Sequence, residues 1–308
     1  MLPIVLIIAK RLGWMVLTLW VVFTISWSLM RAVPGGPFDA EKKVPDEIKR
    51  NIEARYNLDK PLPEQYLSDL IRTARLDFGP SFKLKDFTVN EVIAQGFPVT
   101  AALGIFAMTF ALTLGMTAGV IAAVRRNTIY DMAFMAMATL GIAVPNFVLA
   151  GVSIIIFVFY LQWFPAAGWG RLNQVVLPAL CLGAPYAAYI ARLTKAGMLD
   201  VLNLDYVRTA YAKGLSAPTV IIKHALRGAI APVVTYLGPA TAGILTGSLV
   251  VERIFQISGM GSHFIEAATQ RDYTLAMGMV LVYTFLLYVM NSLVDLSYAI
   301  IDPRVKAE

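Results

Sequence analysis

Five stretches of this chain run for nineteen or more residues without a charge: 12–30, 99–124, 132–169, 172–191 and 228–251. A sixth, 273–301, carries Asp295 alone. A helix needs about 20 apolar residues to cross hydrocarbon, where no water is available to satisfy an irregular backbone. Repeated runs of that length commit the chain to an all-α, polytopic membrane protein of about six transmembrane helices. Composition agrees, with 58% hydrophobic and 15% charged residues among 308 and a mean hydropathy of +0.66. The third run is longer than one span and short for two with a turn, and its Gln162-Trp163-Phe164-Pro165 reads as an exit at an interface.

Charge orients the spans. With both termini inside, the inner side holds twelve basic residues (Lys10, Arg11, Arg125, Arg126, Arg192, Lys195, Arg208, Lys213, Lys223, Arg227, Arg304, Lys306) against Asp131, Asp200, Asp205, Asp302 and Glu308. The outer segments hold fourteen of each sign. The informative short loops follow the same bias, as the positive-inside rule requires. The net charge of +6 thus has a topological origin, and nucleic acid need not be invoked.

The apolar run after Lys10-Arg11 is longer than a signal-peptide core, and Arg31-Ala32-Val33-Pro34-Gly35 is a poor cleavage site, so an uncleaved first span is expected. The only cysteine, Cys181, falls in the fourth run, so no intrachain disulfide is available. The expected organisation is a first segment and span over 1–31, an extracytoplasmic helical insertion over 32–97, and a core of five transmembrane helices over 98–308 that includes a cytoplasmic segment, 192–228. Within the insertion, Ile48, Ile52 and Tyr56 share one helical face, and Leu67, Leu70 and Ile71 share another in 63–72. Asp77-Phe78-Gly79-Pro80-Ser81 is a turn cluster. Such a lid packs over the bundle or docks an external partner, for which the basic face Lys49, Arg50 and Arg55 is the candidate.

The polar interruption 192–228 is organised. Asp205 suits a helix N-cap, Gly214 suits the left-handed position after a last turn, and Ser216 before Pro218 restarts a helix. The expectation is helix, turn, helix on the membrane surface. A short cationic helix held out from a bundle serves as a handle for another protein.

Catalytic and metal chemistry find no foothold. No phosphate-binding glycine loop with its lysine is present. His224 and His263 fall on opposite sides of the membrane and can share neither a metal nor a triad. Ser258-Gly259-Met260-Gly261-Ser262 reads as turn chemistry rather than a hydrolase motif. Asp295 is the lone ionisable residue inside a run and sits near its end, where a cap or interfacial hydrogen bond accounts for it. The spans do carry breakers: Gly141 and Pro145-Asn146 in the third, Pro178, Gly183 and Pro185 in the fourth, Gly238, Pro239, Gly243 and Gly247 in the fifth. Small residues admit close packing and prolines permit kinks. Gly141, Pro145, Asn146, Pro185, Gly238, Pro239, Gly243 and Gly247 are accordingly the pore or hinge candidates.

Arg208-Thr209-Ala210-Tyr211-Ala212-Lys213-Gly214-Leu215 resembles the cytoplasmic signature of ATP-binding-cassette importer permeases, Glu-Ala-Ala, three residues, Gly, then nine residues and Ile-x-Leu-Pro. Arg208 and Thr209 replace the Glu and first Ala, and His224-Ala225-Leu226-Arg227 matches the final element only at Leu226. These departures are those of the peptide and nickel subfamily. Met30 to Phe38, Gly247 to Phe255 with Gly259-Met260-Gly261 and Arg271-Asp272-Tyr273, and Asp295 to Arg304 are similar to the same subfamily. Asn51 to Leu58 and Asp77 to Lys83 resemble the first permease subunit of oligopeptide importers.

The resemblance implies a type I importer permease fold in a bacterial inner membrane, with both termini cytoplasmic. It also implies partners: a second homologous permease completing the pore, two ATPase subunits that carry ATP and Mg, and an extracytoplasmic peptide-binding protein. No cofactor is implied on this chain. Asp205, Arg208, Thr209, Ala210, Lys213, Gly214 and Leu215 would couple to an ATPase. The implied function is oligopeptide import, with dipeptide or nickel import as the alternative. A reading from another class, an ion-driven transporter, requires more buried charge than Asp295 supplies.

Overall fold

The computed structural model describes the backbone of residues 2–32, 59–84 and 86–301. The expected helix carrying Ile48, Ile52 and Tyr56, with Lys49, Arg50 and Arg55, lies outside the described residues. Among the described residues twelve α-helices follow in order: α1 Leu2–Ala32, α2 Leu62–Ala74, α3 Val89–Val124, α4 Ile129–Ala143, α5 Asn146–Ser153, α6 Leu172–Leu202, α7 Asp205–Ala212, α8 Ala217–Thr219, α9 Leu226–Ala229, α10 Ala231–Ile254, α11 Met260–Gln270 and α12 Tyr273–Ile301. π-Helical stretches continue α5 through Ile154–Tyr160 and link α8 to α9 through Val220–Ala225. Among the described residues the only β-type pairing is one bridge between Pro80 and Thr88.

Among the described residues five helices are long and apolar enough to cross a membrane: α1, α3, α6, α10 and α12. A further pair, α4 and α5 with its π-helical continuation, is apolar enough taken together but bent by 110°, which makes five spans, or six if the pair counts as one broken span. Pro145 explains the break. The ring removes a helical donor and forces Val144 into extended backbone (φ −89°, ψ 122°), ending α4, while Pro145 itself leads into α5. The other expected interruptions do not occur: Pro178 and Pro185 lie within an unbroken α6, and Pro239 within α10. Neighbouring helices in a bundle tolerate an isolated proline.

Threonine hydroxyls inside the spans satisfy themselves on the preceding turn. Thr18 donates to Trp14 O, Thr109 to Ile105 O, Thr241 to Leu237 O and Thr284 to Val280 O, all at 2.7–2.8 Å.

The chain forms two compact units. Unit 1 comprises residues 1–98 and 259–288, and unit 2 comprises 99–258 and 289–308. In unit 1, Phe23, Trp27, Met277 and Leu281 form a core with Tyr66, Leu70 and Phe78 against it. α2 packs on α1 through a polar and aromatic row. Tyr66 Oη sits 2.9 Å from Thr24 Oγ1 and accepts from Trp20 Nε1 at 3.1 Å. Arg31 donates to Gln65 Oε1 at 2.8 Å, Trp27 Nε1 donates to Asp69 Oδ2 at 3.0 Å, and Arg31 lies 3.9 Å over the Trp27 ring. This corrects the expected apolar face: Leu67 and Ile71 are exposed, and Gln65 is buried. Arg31, near the end of the first span, draws the carboxylate and amide inward.

The turn cluster appears as expected, with Gly79 at φ +84°. The Gly79 N–H, with Arg72 behind it, holds the Asp77 carboxyl below its usual value. The loop that follows is pinned by Asp272, 1% exposed, which accepts from the Ser81 hydroxyl, from the N–H groups of Phe82, Lys83 and Leu275, and from Thr274 Oγ1. One carboxylate therefore caps α12 and anchors a loop about 190 residues away in sequence.

In unit 2, α6 is the most enclosed span. Gly115 and Gly119, four apart on α3, face α6 so closely that a Cβ on either would lie 2.6 Å from the carbonyl oxygen of Ala187 or Ala191. Glycines at that spacing let two backbones touch. Cores around Leu103, Leu182 and Ile244, and around Ala111, Ile190 and Val233, fill the rest.

Candidate functional site

The surface helix of the polar interruption is α7. Its first helical residue is Asp205, and Leu204 occupies the capping position without a side-chain hydrogen bond. Asp205 is therefore not the N-cap expected from sequence. Leu204 has the extended backbone a cap requires, and Asp205 instead places its charge in the first turn, where the helix dipole favours it. At the other end Gly214 has φ +78°. Its N–H donates to Tyr211 O at 2.9 Å, and the Leu215 N–H reaches Ala210 O at 3.4 Å. Those two bonds define a Schellman exit. Ser216 precedes α8, with Pro218 in its first turn, as expected.

α7 has two unlike faces. Val207 and Ala210 are buried against Ala123, Met198, Val201, Val220, Ala225 and Ala229, which fixes the helix to its own chain. Asp205, Tyr206, Arg208, Thr209 and the whole stretch 211–219 are exposed. Arg208 and Asp205 approach at 3.7 Å with 72% and 97% of their side chains exposed, so the pair is solvated and adds little to stability. Of the seven candidate coupling residues, Ala210 alone faces inward. The rest are exposed and carry the Asp205 carboxylate, the Arg208 and Lys213 cations and the Thr209 hydroxyl, beside two half-exposed tyrosines outside that set, Tyr206 and Tyr211.

The segment that carries α7 differs from the sequence reading. α6 continues without a break through Arg192, Lys195 and Asp200 to Leu202, so the first third of the interruption belongs to the span helix. Partners on α4 make this possible. Lys195 pairs with Asp131 at 2.5 Å, and Arg192 donates to Thr139 Oγ1 at 2.9 Å. Asp131, buried, also accepts from the Asn127 N–H at 3.1 Å. A rigid helix thereby connects the membrane core to α7.

The pore or hinge candidates separate. Pro145 and Asn146 form the break between α4 and α5. Gly141 lies where α4 approaches α6, and its Cβ would sit 3.2 Å from Ala184 O. Pro185 and Pro239 stand inside continuous helices, with Gly238 beside Pro239 in α10. Gly243 takes the Tyr186 hydroxyl, 2.5 Å from where its Cβ would be, and Gly247 is 3.8 Å from it by the same measure. Sequence reasoning passed over Tyr186, which meets this glycine row, and Tyr189, which stacks on Tyr236 at 5.2 Å and 17°. The signal was two tyrosines three apart beside Pro185 in an otherwise apolar run. It also passed over Glu252, which is fully buried and accepts from Thr100 Oγ1 at 2.8 Å.

The remaining polar motifs are structural. Gly259 caps the start of α11, and Ser262 Oγ donates to Gly259 O at 3.1 Å, so this serine-glycine run opens a helix rather than forming a free turn. His224 lies in the π-helix and His263 in α11. Among the described residues no group of three or more histidine, cysteine or carboxylate side chains could hold a metal.

The family model described as "Binding-protein-dependent transport system inner membrane component" matches residues 115–307. Among curated relatives, the oligopeptide transport system permease protein OppB of Haemophilus influenzae is 46% identical over 97% of this chain and 98% of its own length. The dipeptide transport system permease protein DppB of Bacillus subtilis is also 46% identical, over 96% of each chain. OppB of Escherichia coli K12 is 43% identical over 94% of this chain and 95% of its own. Two solved structures share the fold. The methionine transporter MetNI in an inward-facing form has a TM-score of 0.54 at 17% identity, covering 68% of this chain and 96% of the other. An amino acid ABC transporter crystallised with histidines has a TM-score of 0.51 at 16% identity, covering 68% and 93%.

Proposed function

The chain belongs to the family of binding-protein-dependent transport system inner membrane components, and from that premise we propose how it works as the permease subunit of an ATP-driven peptide importer. It is a peptide-transport permease of the oligopeptide type, and the observation that carries this is the chain-long correspondence to an oligopeptide permease. Dipeptide import is the second reading, because a dipeptide permease is equally identical over nearly the same length.

The family implies ATPase and substrate-binding partners. The finer assignments are our reading. This chain forms half of the pore with a second homologous permease, two ATPases bind ATP and Mg beneath it, and both termini are cytoplasmic. α7 lies in a groove on one ATPase through Arg208, Thr209, Lys213 and Leu215, with Asp205 starting the helix, Ala210 seating it and Gly214 ending it. The exposed α7 surface and the unbroken α6 above it support this reading: a push on α7 is passed to a helix that runs into the core. ATP-driven closure of the ATPases then biases a two-state bundle toward the outward-open form. Gly141, Pro145, Asn146, Pro185, Gly238, Pro239, Gly243 and Gly247 are the positions where that bundle bends or lines the path. Lys49, Arg50 and Arg55 are the proposed docking face for the peptide-loaded binding protein.

The test is reconstitution with the partner subunits in liposomes. Uptake of labelled tri- to pentapeptides should require ATP inside reach of the ATPases and the binding protein outside. Uptake driven by an ion gradient without ATP would overturn the assignment, and competition by dipeptides alone would select the second reading.

A further inference from the structure

The bend at Pro145 leaves one strip of α6 uncovered, and the contacts of the neighbouring helices show which. α4 covers the stripe of Ala184, Ala188 and Lys195: a Cβ on Gly141 would lie 3.2 Å from Ala184 O and 3.3 Å from the Ala188 Cβ, and Asp131 pairs with Lys195 two turns on. α10 covers the stripe of Leu182 and Tyr186, which meet Gly247 and Gly243. α3 covers a third side, with Gly115 at Ala187 O and Gly119 at Ala191 O. Pro185, Tyr189, Arg192 and Ala196 repeat at helical spacing one residue after the α4 stripe and one before the α10 stripe, so they lie between the two. The last three of them are exposed. α5 leaves this strip open, because it meets α6 farther along, where Cys181 Sγ donates to Ser153 Oγ at 3.5 Å, and it packs on α10 as well. The result is a groove floored by α6, walled by α4 and α10, and crossed toward Cys181 by α5.

The groove is not furnished for lipid. Tyr189, 49% exposed, stacks on Tyr236 at 5.2 Å and 17°, and neither hydroxyl makes a hydrogen bond among the described residues. Arg192 donates to Thr139 Oγ1 at 2.9 Å and pairs with no carboxylate among the described residues, since Asp131 is taken by Lys195. Hydrocarbon offers such groups nothing. A peptide offers both what a hydroxyl needs, in its amides, and what a guanidinium needs, in the carboxylate that ends it whatever its sequence. The spacing also fits: Tyr189 and Arg192 are three residues apart, about 4.5 Å along the helix axis, or a little over one residue of extended peptide.

We propose that this groove holds the transported peptide, with Arg192 receiving its C-terminal carboxylate and the Tyr189–Tyr236 pair meeting the residues just before it. The assignment rests on the peptide-permease reading and names the side chains that touch the cargo. A carboxylate contact together with main-chain contacts accepts peptides of varied sequence.

The test uses the complex assembled with its partner subunits in nanodiscs, without ATP or the binding protein. Tyr189→Cys and Tyr236→Cys, one at a time, are reacted with a cationic methanethiosulfonate; the unsubstituted complex, in which Cys181 of this chain is buried, gives the background. Both positions should react. A tripeptide with a free C-terminus should slow the reaction, and its C-terminal amide should do so about tenfold more weakly, the scale of a lost charge-assisted hydrogen bond. Adding Arg192→Gln should weaken the free acid to the level of the amide, and Arg192→Lys should keep part of the difference. Absence of reaction at both positions would place the strip against lipid or the second permease and overturn the proposal. So would equal protection by acid and amide, or a preference for the acid that survives Arg192→Gln. In the unsubstituted complex, a tripeptide carrying a benzophenone should label the segment containing Tyr189 or Tyr236 on illumination, with the free acid competing better than the amide; labelling confined to other segments would refute the proposal even if the cysteine variants failed to assemble. ATP-dependent uptake of the same tripeptide is measured alongside. Its absence would count against the peptide reading itself, whereas uptake without protection would sink the groove alone.

Discussion

Replacing Gly214 isolates the contribution of one backbone conformation to coupling. At φ +78° the residue occupies left-handed space, and a Cβ added there meets no atom within 4 Å. A substitution therefore carries conformational cost without a clash. For an ordinary L-residue that cost is about 1–2 kcal/mol, least for Asn and greatest for a β-branched residue. The alternative to bearing it is to open the exit and lose the Gly214 and Leu215 hydrogen bonds, which redirects residues 211–219. Because that stretch is exposed, no buried contact recovers the loss. A shift of one to two kcal/mol changes the population of the native exit about 5–30-fold. Gly214→Asn should retain ATPase binding and uptake near wild type, Gly214→Ala should be intermediate, and Gly214→Val should weaken ATPase binding by up to that factor. Binding is read by titrating purified ATPase onto permease complexes in nanodiscs, and uptake in proteoliposomes. Equal behaviour of the Val and Asn variants would refute the argument, because the two differ chiefly in their tolerance of this backbone region.

Reversing Arg208 and Lys213 together to Glu should release the ATPase during purification while leaving helical content unchanged, since the Arg208–Asp205 pair is solvated; retention of the ATPase and of peptide-stimulated hydrolysis would return α7 to an ordinary surface helix. Asp272→Ala should lower the stability of unit 1 by about 3 kcal/mol or more, because the donors of Ser81, Phe82, Lys83, Thr274 and Leu275 lose a shared acceptor; a melting temperature in detergent equal to wild type would contradict this. Gly119→Val should impair assembly more than Gly214→Val does, because its Cβ would press on the Ala191 carbonyl; size-exclusion profiles of the two variants compare them directly. Changing Lys49, Arg50 and Arg55 together to Glu should weaken the response to the loaded binding protein at low salt, where surface charge acts most strongly, with ATPase assembly intact; unaltered affinity would remove that face from docking.

The sequence by itself determined where the membrane lies along the chain, because the cost of placing charge or unpaired backbone in hydrocarbon is so large that apolar length alone marks the spans. It also determined the exit at Gly214, since the left-handed conformation there follows from the conformational limits of a single residue. Tertiary structure decided what depends on a distant partner. α6 runs past Ala191 through two cations because Asp131 and Thr139 stand on the neighbouring helix to receive them, which no local pattern announces. Pro185 and Pro239 leave their helices whole, whereas Pro145 does not, and composition alone does not distinguish the three. On α2 the periodicity of Leu67, Leu70 and Ile71 pointed to a buried face, yet Arg31, Trp27 and Thr24 recruit Gln65, Asp69 and Tyr66 instead and turn Leu67 and Ile71 outward. A periodic pattern records that a helix has an apolar side. Whether that side is buried or left exposed is set by polar groups on another helix, and those are brought to it only by the fold.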